Sequence, residues 1–384
     1  TGIIGGAMPF PAWGHFGWHR ITNHHNISGM LTESASAKLA TPLYIHPDQL
    51  VGGHYSFPDY EAQVNFPNPW EGGWWTLREI VEQQKICSWA TLDIAARSTD
   101  MVLRNAVLKA KRQIENGQEY KTKAYIMPGS QHDPVTAGRL LEKLLVQGIE
   151  THIANKGFTA DGVMYPSGSF VIKLDQPKYG VIKCLLGRTF YPDNAWTRDQ
   201  DGTPRRPKDK GGDVMPEFMG VRVDPVECKF VADLTKIGAP QWPAGGVKGE
   251  SEIGYALDPR LNDSFAAVNR LLAEGAQVWR SGDPLDCGDV CLPPGAFIIK
   301  GVEKDKLAQV AAKTHVELNP LTEVPKSTTR ISAPKIGLFQ RYYGGNADEG
   351  WTRLVLEQFG FPYAKLMDEE IKGGGLADKY NVII

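Results

Sequence analysis

The chain has 384 residues, of which 42% are hydrophobic and 22% charged, so it can bury a full core and should form two or three domains. Its formal net charge of -2 argues against nucleic acid as a partner, because phosphate binding needs a clustered basic face. No run reaches the roughly 18 apolar residues that a membrane span requires.

The first 45 residues carry histidines whose spacing raises the question of a metal site: His15, His19, His24 and His25. The first two have the i, i+4 spacing of ligands on one helical face, but Gly14 and Gly17 disfavour a helix there. The adjacent pair would point to opposite faces of a strand. We therefore expect surface or cleft-lining histidines, with a zinc site as the alternative.

Glu33 follows the short β-prone run Ile27–Thr32 and precedes the small residues 34–36. This pattern predicts a strand that delivers a carboxylate to a cleft with room for a substrate. A carboxylate so placed can act as a general base, whereas the alternative is an ordinary surface glutamate at a strand end.

Residues 46–75 are rich in proline, glycine and aromatic residues, and we expect a long ordered loop held by Trp70, Trp74 and Trp75. Thr76 and Glu79 form a capping-box pattern that predicts a helix through Gln84. A second helix is predicted over residues 88–114 and is ended by Asn116-Gly117.

From residue 120 onward one pattern recurs three times: a strand, a polar loop, a helix, a glycine and a second strand. The paired strands are 124–127 with 149–153, 254–257 with 276–279, and 336–339 with 361–366. Strand–helix–strand units favour a largely parallel sheet with right-handed crossovers. The last residues, 380–384, should form a strand beside 336–339.

Two further patterns leave alternatives open. In His132-Asp133-Pro134, the residues could line a ligand crevice at the carboxyl end of a sheet, or Asp133 could cap a helix that Pro134 begins. Cys287 and Cys291 are close enough in sequence to form a disulfide or to remain two free thiols.

Several motifs together resemble one family. They are Gly29-Met30-Leu31-Thr32-Glu33-Ser34-Ala35-Ser36, residues 40–42 and 65–75, Gln131-His132-Asp133-Pro134, Tyr165-Pro166-Ser167-Gly168-Ser169 and Asn346-Ala347-Asp348-Glu349-Gly350-Trp351-Thr352-Arg353. Through them most of the chain resembles large bacterial members of the zinc carboxypeptidase (carboxypeptidase A-like) family, from the end of the peptidase domain onward.

The resemblance implies an α/β protein in three parts. Residues 1–117 would be the C-terminal part of the carboxypeptidase-like domain with a linking helix. Residues 118–330 would be a flavodoxin/amidotransferase-like α/β domain, and 331–384 the start of a further, truncated α/β unit. The amidotransferase chemistry is not expected, because neither Cys184 nor Cys228 has the flanking glycines of a nucleophile elbow.

The resemblance also implies a function. Glu33 would be the general base of a zinc-dependent metallocarboxypeptidase that acts on peptides in the periplasm or outside the cell. The family's His-x-x-Glu zinc ligands do not occur in this sequence. Zinc is therefore expected in a full-length parent, whose upstream part is a further partner, and not in this chain alone. The alternative is a non-catalytic ligand-binding or scaffolding α/β protein.

Overall fold

A computed structural model describes residues 18–36, 40–52, 59–64, 66–188, 193–205, 214–341 and 346–384. The chain divides into two compact units whose segments alternate along the sequence. The first comprises Thr1–Met127, Gly148–Phe218 and Val223–Lys236, and the second comprises Pro128–Gln147, Met219–Arg222 and Ile237–Ile384. Helices and strands are mixed throughout, so the fold class is α/β.

The first part of the chain is mainly helical. Its elements are α1 (Trp18–His24), β1 (Leu43–Ile45), a 3-10 turn (Pro47–Gln49), β2 (Gly73–Trp75), α2 (Leu77–Arg97) and α3 (Thr99–Glu119). Strands β1 and β2 pair antiparallel at the ends of the predicted loop, where the Trp70 and Trp75 rings lie 5.2 Å apart.

The two long helices differ from their predicted bounds. The capping box at Thr76 and Glu79 is confirmed, but α2 continues past Gln84 to Arg97. The backbone leaves helical geometry at Ser98 (φ -114°, ψ 32°), so the predicted helix over 88–114 is divided there. Gly117 lies inside α3 and does not end it. Glycine is needed there because an added Cβ would meet the carbonyl oxygen of Leu174 at 2.0 Å.

The next stretch of chain builds a five-stranded sheet in the order β8-β3-β7-β4-β9. Its elements are β3 (Ala124–Met127), α4 (Pro134–Val146), β4 (Thr151–Ala154), β5 (Phe158–Ala160), β6 (Val163–Tyr165), β7 (Phe170–Lys173), α5 (Tyr179–Leu186), a 3-10 turn (Ala195–Thr197), α6 (Met215–Met219), β8 (Asp224–Val226) and β9 (Leu234–Ile237). Strand β3 pairs antiparallel with β7 and β8, and β4 pairs antiparallel with β7. Strands β5 and β6 form a separate hairpin.

A second sheet of six strands follows in the order β10-β16-β11-β15-β12-β17. The elements are β10 (Gly246–Val247), β11 (Tyr255–Leu257), α7 (Asn262–Ala273), β12 (Gln277–Ser281), β13 (Leu285–Asp286), β14 (Cys291–Leu292), β15 (Phe297–Lys300), α8 (Lys304–Thr314), β16 (Glu317–Pro320) and β17 (Thr328–Ile331). Strand β11 pairs antiparallel with β15 and β16, and β12 with β15 and β17.

The two sheets repeat one topology. In each stretch a strand, a helix and a second strand are followed by a hairpin, a third strand, a second helix and a fourth strand. Numbered in this way, these four strands have the order 4-1-3-2 in both sheets, with β9 added at one edge of the first sheet and β10 and β17 at the two edges of the second. This order is the split βαβ arrangement of ferredoxin-like folds. The prediction of a largely parallel sheet is therefore wrong here. The strands joined by α4, and those joined by α7, run parallel, but the third strand of the stretch lies between them and pairs antiparallel with both.

The last segment differs, because all its strand pairs are parallel. It contains β18 (Ile336–Phe339), α9 (Ala347–Phe359), β19 (Tyr363–Leu366), α10 (Asp368–Gly373), α11 (Leu376–Lys379) and β20 (Val382–Ile383), with the order β19-β18-β20. The predicted strand at the end of the chain is confirmed for Val382–Ile383, and Ile384 continues it by donating to Gly337 O at 3.0 Å. All three predicted strand–helix–strand patterns are likewise observed.

Each sheet has its own buried core. Around the five-stranded sheet the core includes Ala124, Ile126, Phe158, Tyr165 and Val171. Within the six-stranded sheet the principal core includes Leu257, Leu271, Val278, Phe297, Ile299 and Leu318. None of the described helices is both long and apolar enough to cross a membrane.

Candidate functional site

Glu33 lies in a coil and not at the end of a strand. Residues 27–36 form no ladder with another described strand, so the predicted strand is wrong. The apolar side chains that would have formed its buried face are exposed: Ile27 by 57%, Met30 by 62% and Leu31 by 43%. Burial of alternate side chains is what normally specifies a strand, and this segment lacks it.

The coil is held against α2 on both sides of Glu33. Thr32 Oγ1 donates to Gln84 Oε1 at 2.7 Å, and Gln84 Nε2 donates to Ser34 Oγ at 3.1 Å. Ser34 Oγ donates in turn to Gln83 Oε1 at 3.0 Å. Because Thr32 and Ser34 both face the helix, the extended chain turns Glu33 away from it. Glu33 is exposed and makes no hydrogen bond or ion pair with the residues that the structure describes.

A polar cleft of about 400 Å³ lies just upstream on the same coil. Its walls come from the end of α1, the coil that follows and the last turns of α3: Asn23, Asn26, Ile27, Ser28, Gly29, Lys109, Arg112, Gln113 and Asn116. The helical residues recur at i, i+3, i+4 and i+7, which places them on one face of α3. The lining includes two cations and no carboxylate, so the cleft is positively charged.

Hydrogen bonds fix the walls of the cleft. Lys109 Nζ donates to Ser28 Oγ at 2.7 Å. Asn23 Oδ1 accepts from the Gly29 amide at 3.2 Å, and Gln113 Oε1 accepts from the Gly180 amide at 2.8 Å. These two side chains are held through their oxygens, and none of those bonds uses their NH₂ groups.

Arg112 is the cleft's other cation. It forms no ion pair or hydrogen bond within the described part of the chain. A guanidinium group presents parallel N–H donors that match a carboxylate. The arrangement therefore suits an anionic ligand. Sequence reasoning did not identify this site, although the helical spacing of Lys109, Arg112, Gln113 and Asn116 was a signal that could have done so.

The histidines do not form a metal centre in the described residues. His24 is the last residue of α1, so the expected strand geometry for His24 and His25 does not apply. His25 Nδ1 lies 2.9 Å from Lys178 Nζ. His15 and the side chain of His19 lie outside the described residues. Within the described ranges no three His, Cys, Asp or Glu side chains come together as metal ligands. The residues described therefore do not fit a zinc centre.

The cysteines are free thiols. Burial raises the pKa of Cys184, within α5, to about 11, which keeps the thiol protonated at neutral pH. Burial also raises the pKa of Cys287 to about 11. Cys228 is exposed, and its pKa is raised by a hydrogen bond with Asp161. Cys287 and Cys291 are therefore two free thiols in this structure and do not form a disulfide.

Asp133 is a helix cap. Its Oδ1 accepts from the Val135 and Thr136 amides at 3.1 and 2.9 Å, and Pro134 begins α4. Its Oδ2 accepts from the Asn262 amide at 3.0 Å, so the same carboxylate also binds the first residue of α7. Asp133 is 6% exposed. The capping interpretation of His132-Asp133-Pro134 is confirmed.

The chain matches no protein-family model, no curated protein and no solved structure among those compared with it. The likeness to zinc carboxypeptidases therefore rests on the sequence motifs.

Proposed function

We propose that the cleft beside α3 binds the C-terminal carboxylate of a peptide. The observation that carries this proposal is Arg112, a cation with no described partner, in a lining that also contains Lys109 and no acid. An unpaired guanidinium beside amide donors favours a planar carboxylate. This is a ligand-binding role, and it requires no metal.

A second candidate is catalytic, and it follows from where Glu33 lies. Gly29 lines the cleft, and Glu33 is four residues farther along the same coil, at most about 14 Å away when the chain is extended. A peptide held by its last carboxylate would place its final peptide bonds within that range. This geometry, together with the sequence motifs, supports a role for Glu33 as general base in a zinc-dependent metallocarboxypeptidase.

The catalytic proposal needs zinc ligands from outside the described residues. What the described residues supply is recognition of the substrate terminus and a carboxylate that can hold or accept a proton. If the chain does not hydrolyse peptides, the cleft would make it a non-catalytic peptide-binding protein.

Binding is tested by calorimetry with an acetylated tetrapeptide and with the same peptide amidated at its C-terminus. The free acid should bind and the amide should not. Arg112→Gln should weaken binding of the acid by about 10- to 100-fold, because it removes a charge-assisted pair. Lys111→Gln, an exposed cation on the same helix outside the cleft, is the matched control and should leave affinity unchanged. Equal binding of acid and amide would disprove the carboxylate proposal.

A further inference from the structure

The cleft beside α3 carries more positive charge than one peptide carboxylate neutralises. Lys109 and Arg112 both line it, and none of its lining residues is an acid. Lys109 donates to the neutral Ser28 hydroxyl and forms no ion pair within the described part of the chain. Glu115, about one turn beyond Arg112, lies outside the lining and pairs with neither cation in the described structure. A carboxylate held by Arg112 therefore leaves the charge of Lys109 without a counter-ion.

The lining also holds more hydrogen-bond donors than one carboxylate can use. An ammonium has three N–H donors, of which Lys109 gives one to Ser28, and the guanidinium of Arg112 has five. Asn23 and Gln113 are held through their side-chain oxygens, so the NH₂ group of each adds two donors. One carboxylate offers about four acceptor positions. A ligand with a second carboxylate therefore matches this donor-rich lining better than a ligand with one.

The spacing of the two cations indicates where that second carboxylate lies on a peptide. Lys109 and Arg112 are three residues apart on α3, and Cβ atoms at this helical spacing are about 5–6 Å apart. In a C-terminal glutamate, four bonds of about 1.5 Å join the two carboxylate carbons, which lie at most about 5 Å apart. In a C-terminal aspartate three bonds join them, and the span is about 4 Å. Of the two acidic residues, glutamate therefore fits the pair of cations better.

Two contacts of the coil favour the same ligand. Ser28 Oγ accepts from Lys109 Nζ at 2.7 Å, so the ammonium is already held between α3 and the coil before a ligand arrives. Such preorganisation lowers the entropic cost of binding. Ile27 lines the cleft and is 57% exposed, so it offers an apolar surface to the side-chain methylenes of glutamate.

We infer that the cleft selects peptides whose last residue is glutamate. Arg112 binds the α-carboxylate, and Lys109 binds the side-chain carboxylate through the N–H donors that Ser28 leaves free. Lys109 is thus the residue that determines specificity, whereas Arg112 recognises the end of any peptide. The inference rests on the binding of a peptide carboxylate proposed above, to which it adds the identity of the terminal residue.

Calorimetry of the 384-residue chain with acetylated tetrapeptides tests this selection. The peptides share a run of alanines and end in glutamate, glutamine or alanine as the free acid, and the alanine peptide is also made as the amide. The glutamate peptide should bind about 5- to 10-fold more tightly than the glutamine peptide, as expected for a charge-assisted hydrogen bond at a partly exposed site. Glutamine matches glutamate in size, so the difference measures the effect of the charge.

Variants separate the roles of the two cations. Lys109→Gln should bring the affinities for the glutamate and glutamine peptides together while the preference for acid over amide remains. Lys109→Arg keeps the charge and should retain the preference for glutamate. Arg112→Gln should weaken binding of all the free acids alike. Lys111→Gln, on the same helix but outside the lining, is the matched control and should change neither preference. All four variants keep good helix formers, so their circular dichroism spectra should match the wild type.

The outcomes distinguish this inference from the proposal on which it rests. Equal binding of the glutamate and glutamine peptides, or a preference for glutamate that survives Lys109→Gln, overturns the selection of glutamate and leaves carboxylate recognition intact. Inorganic phosphate that binds as tightly as the glutamate peptide also overturns it, because the cleft would then accept any anion. Equal binding of the alanine acid and its amide contradicts carboxylate recognition itself, and a chain that binds none of the peptides overturns both.

Discussion

Thr32 and Gln84 form a reciprocal pair of hydrogen bonds between coil and helix. The Thr32 hydroxyl donates to Gln84 Oε1 at 2.7 Å, and Gln84 Nε2 donates back to the Thr32 carbonyl at 3.3 Å. The peptide that precedes Glu33 is thereby fixed to α2, although no strand supports it. The backbone beside this carboxylate is therefore held in place by hydrogen bonds to a helix and not by a β-sheet.

If Glu33 is the general base proposed above, Glu33→Gln should reduce peptide hydrolysis by about 100- to 10,000-fold, because the amide cannot accept the proton. Binding of the peptide carboxylate should not change. Turnover and calorimetric affinity are measured on the same preparation. Glu71→Gln, another exposed coil glutamate, is the control and should retain full activity. Near-normal turnover of the Glu33 variant would exclude this residue as the base.

Gly117→Ala should destabilise the protein by about 1–3 kcal/mol or more, since the new Cβ would overlap the Leu174 carbonyl oxygen. Gly350→Ala is the matched change in α9, where nothing lies within 4 Å of the added carbon. It should stabilise by about 0.5–1 kcal/mol through the better helix propensity of alanine. Calorimetric melting of both variants measures the difference. Equal melting temperatures would contradict the close approach of α3 to Leu174.

The ion pair of Arg139 and Asp263 should contribute measurably to stability. Both guanidinium Nη atoms donate to the carboxylate at 2.6 Å, and the Asp263 side chain is 6% exposed. Asp263→Asn should destabilise by about 1.5–3 kcal/mol. Asp305→Asn is the control, because Asp305 holds the same second helical position in α8, is exposed and has no described partner. Equal urea midpoints for the two variants would show that the pair contributes nothing beyond the helix dipole.

Asp161 should slow alkylation of Cys228. Its Oδ2 accepts from the Glu227 amide at 2.7 Å and its Oδ1 from the Cys228 amide at 2.9 Å. The hydrogen bond with this carboxylate raises the pKa of Cys228, so less thiolate is present near pH 8. Asp161→Asn should lower that pKa and move the rise in alkylation rate to lower pH.

Asparagine suits this position because it tolerates the left-handed conformation of residue 161 (φ 46°). The rate at Cys228 is measured by peptide mapping after iodoacetamide treatment at several pH values. Asp201→Asn, elsewhere on the surface, should leave the profile unchanged. An unaltered profile in the Asp161 variant would exclude control of the thiol by this carboxylate.

Short sequence patterns were sufficient to predict the elements that contacts between neighbouring residues determine. The caps at Thr76 and Asp133 were predictable because a side chain and a nearby backbone amide form them. The strand order was not. Whether β7 lies between β3 and β4 depends on pairing between residues far apart in sequence, and the strand–helix–strand rhythm is the same in either case.

The candidate site was only partly predictable for a similar reason. Its motif marked Glu33 as a candidate residue. The strand predicted before it did not form, because the apolar run at residues 27–32 pairs with no described strand. The cleft at Arg112 depends on α3 meeting the coil after α1, a tertiary contact that no single stretch of sequence encodes. Ser98 is likewise an ordinary residue in a helical pattern, and nothing local marked the break there.

The alternation of segments between the two units has a consequence for how the chain is made. Helix α4 belongs to the second unit, yet its unit partner α7 begins at Asn262, more than a hundred residues later. At about 5–20 residues per second, a ribosome would expose α4 for roughly 5 to 25 seconds before α7 emerges. Arg139 and Thr136 of α4, whose partners Asp263 and Asn262 belong to α7, would lack these partners during this interval. In a nascent chain stalled before residue 262, limited proteolysis should therefore cleave α4 more readily than in the finished protein.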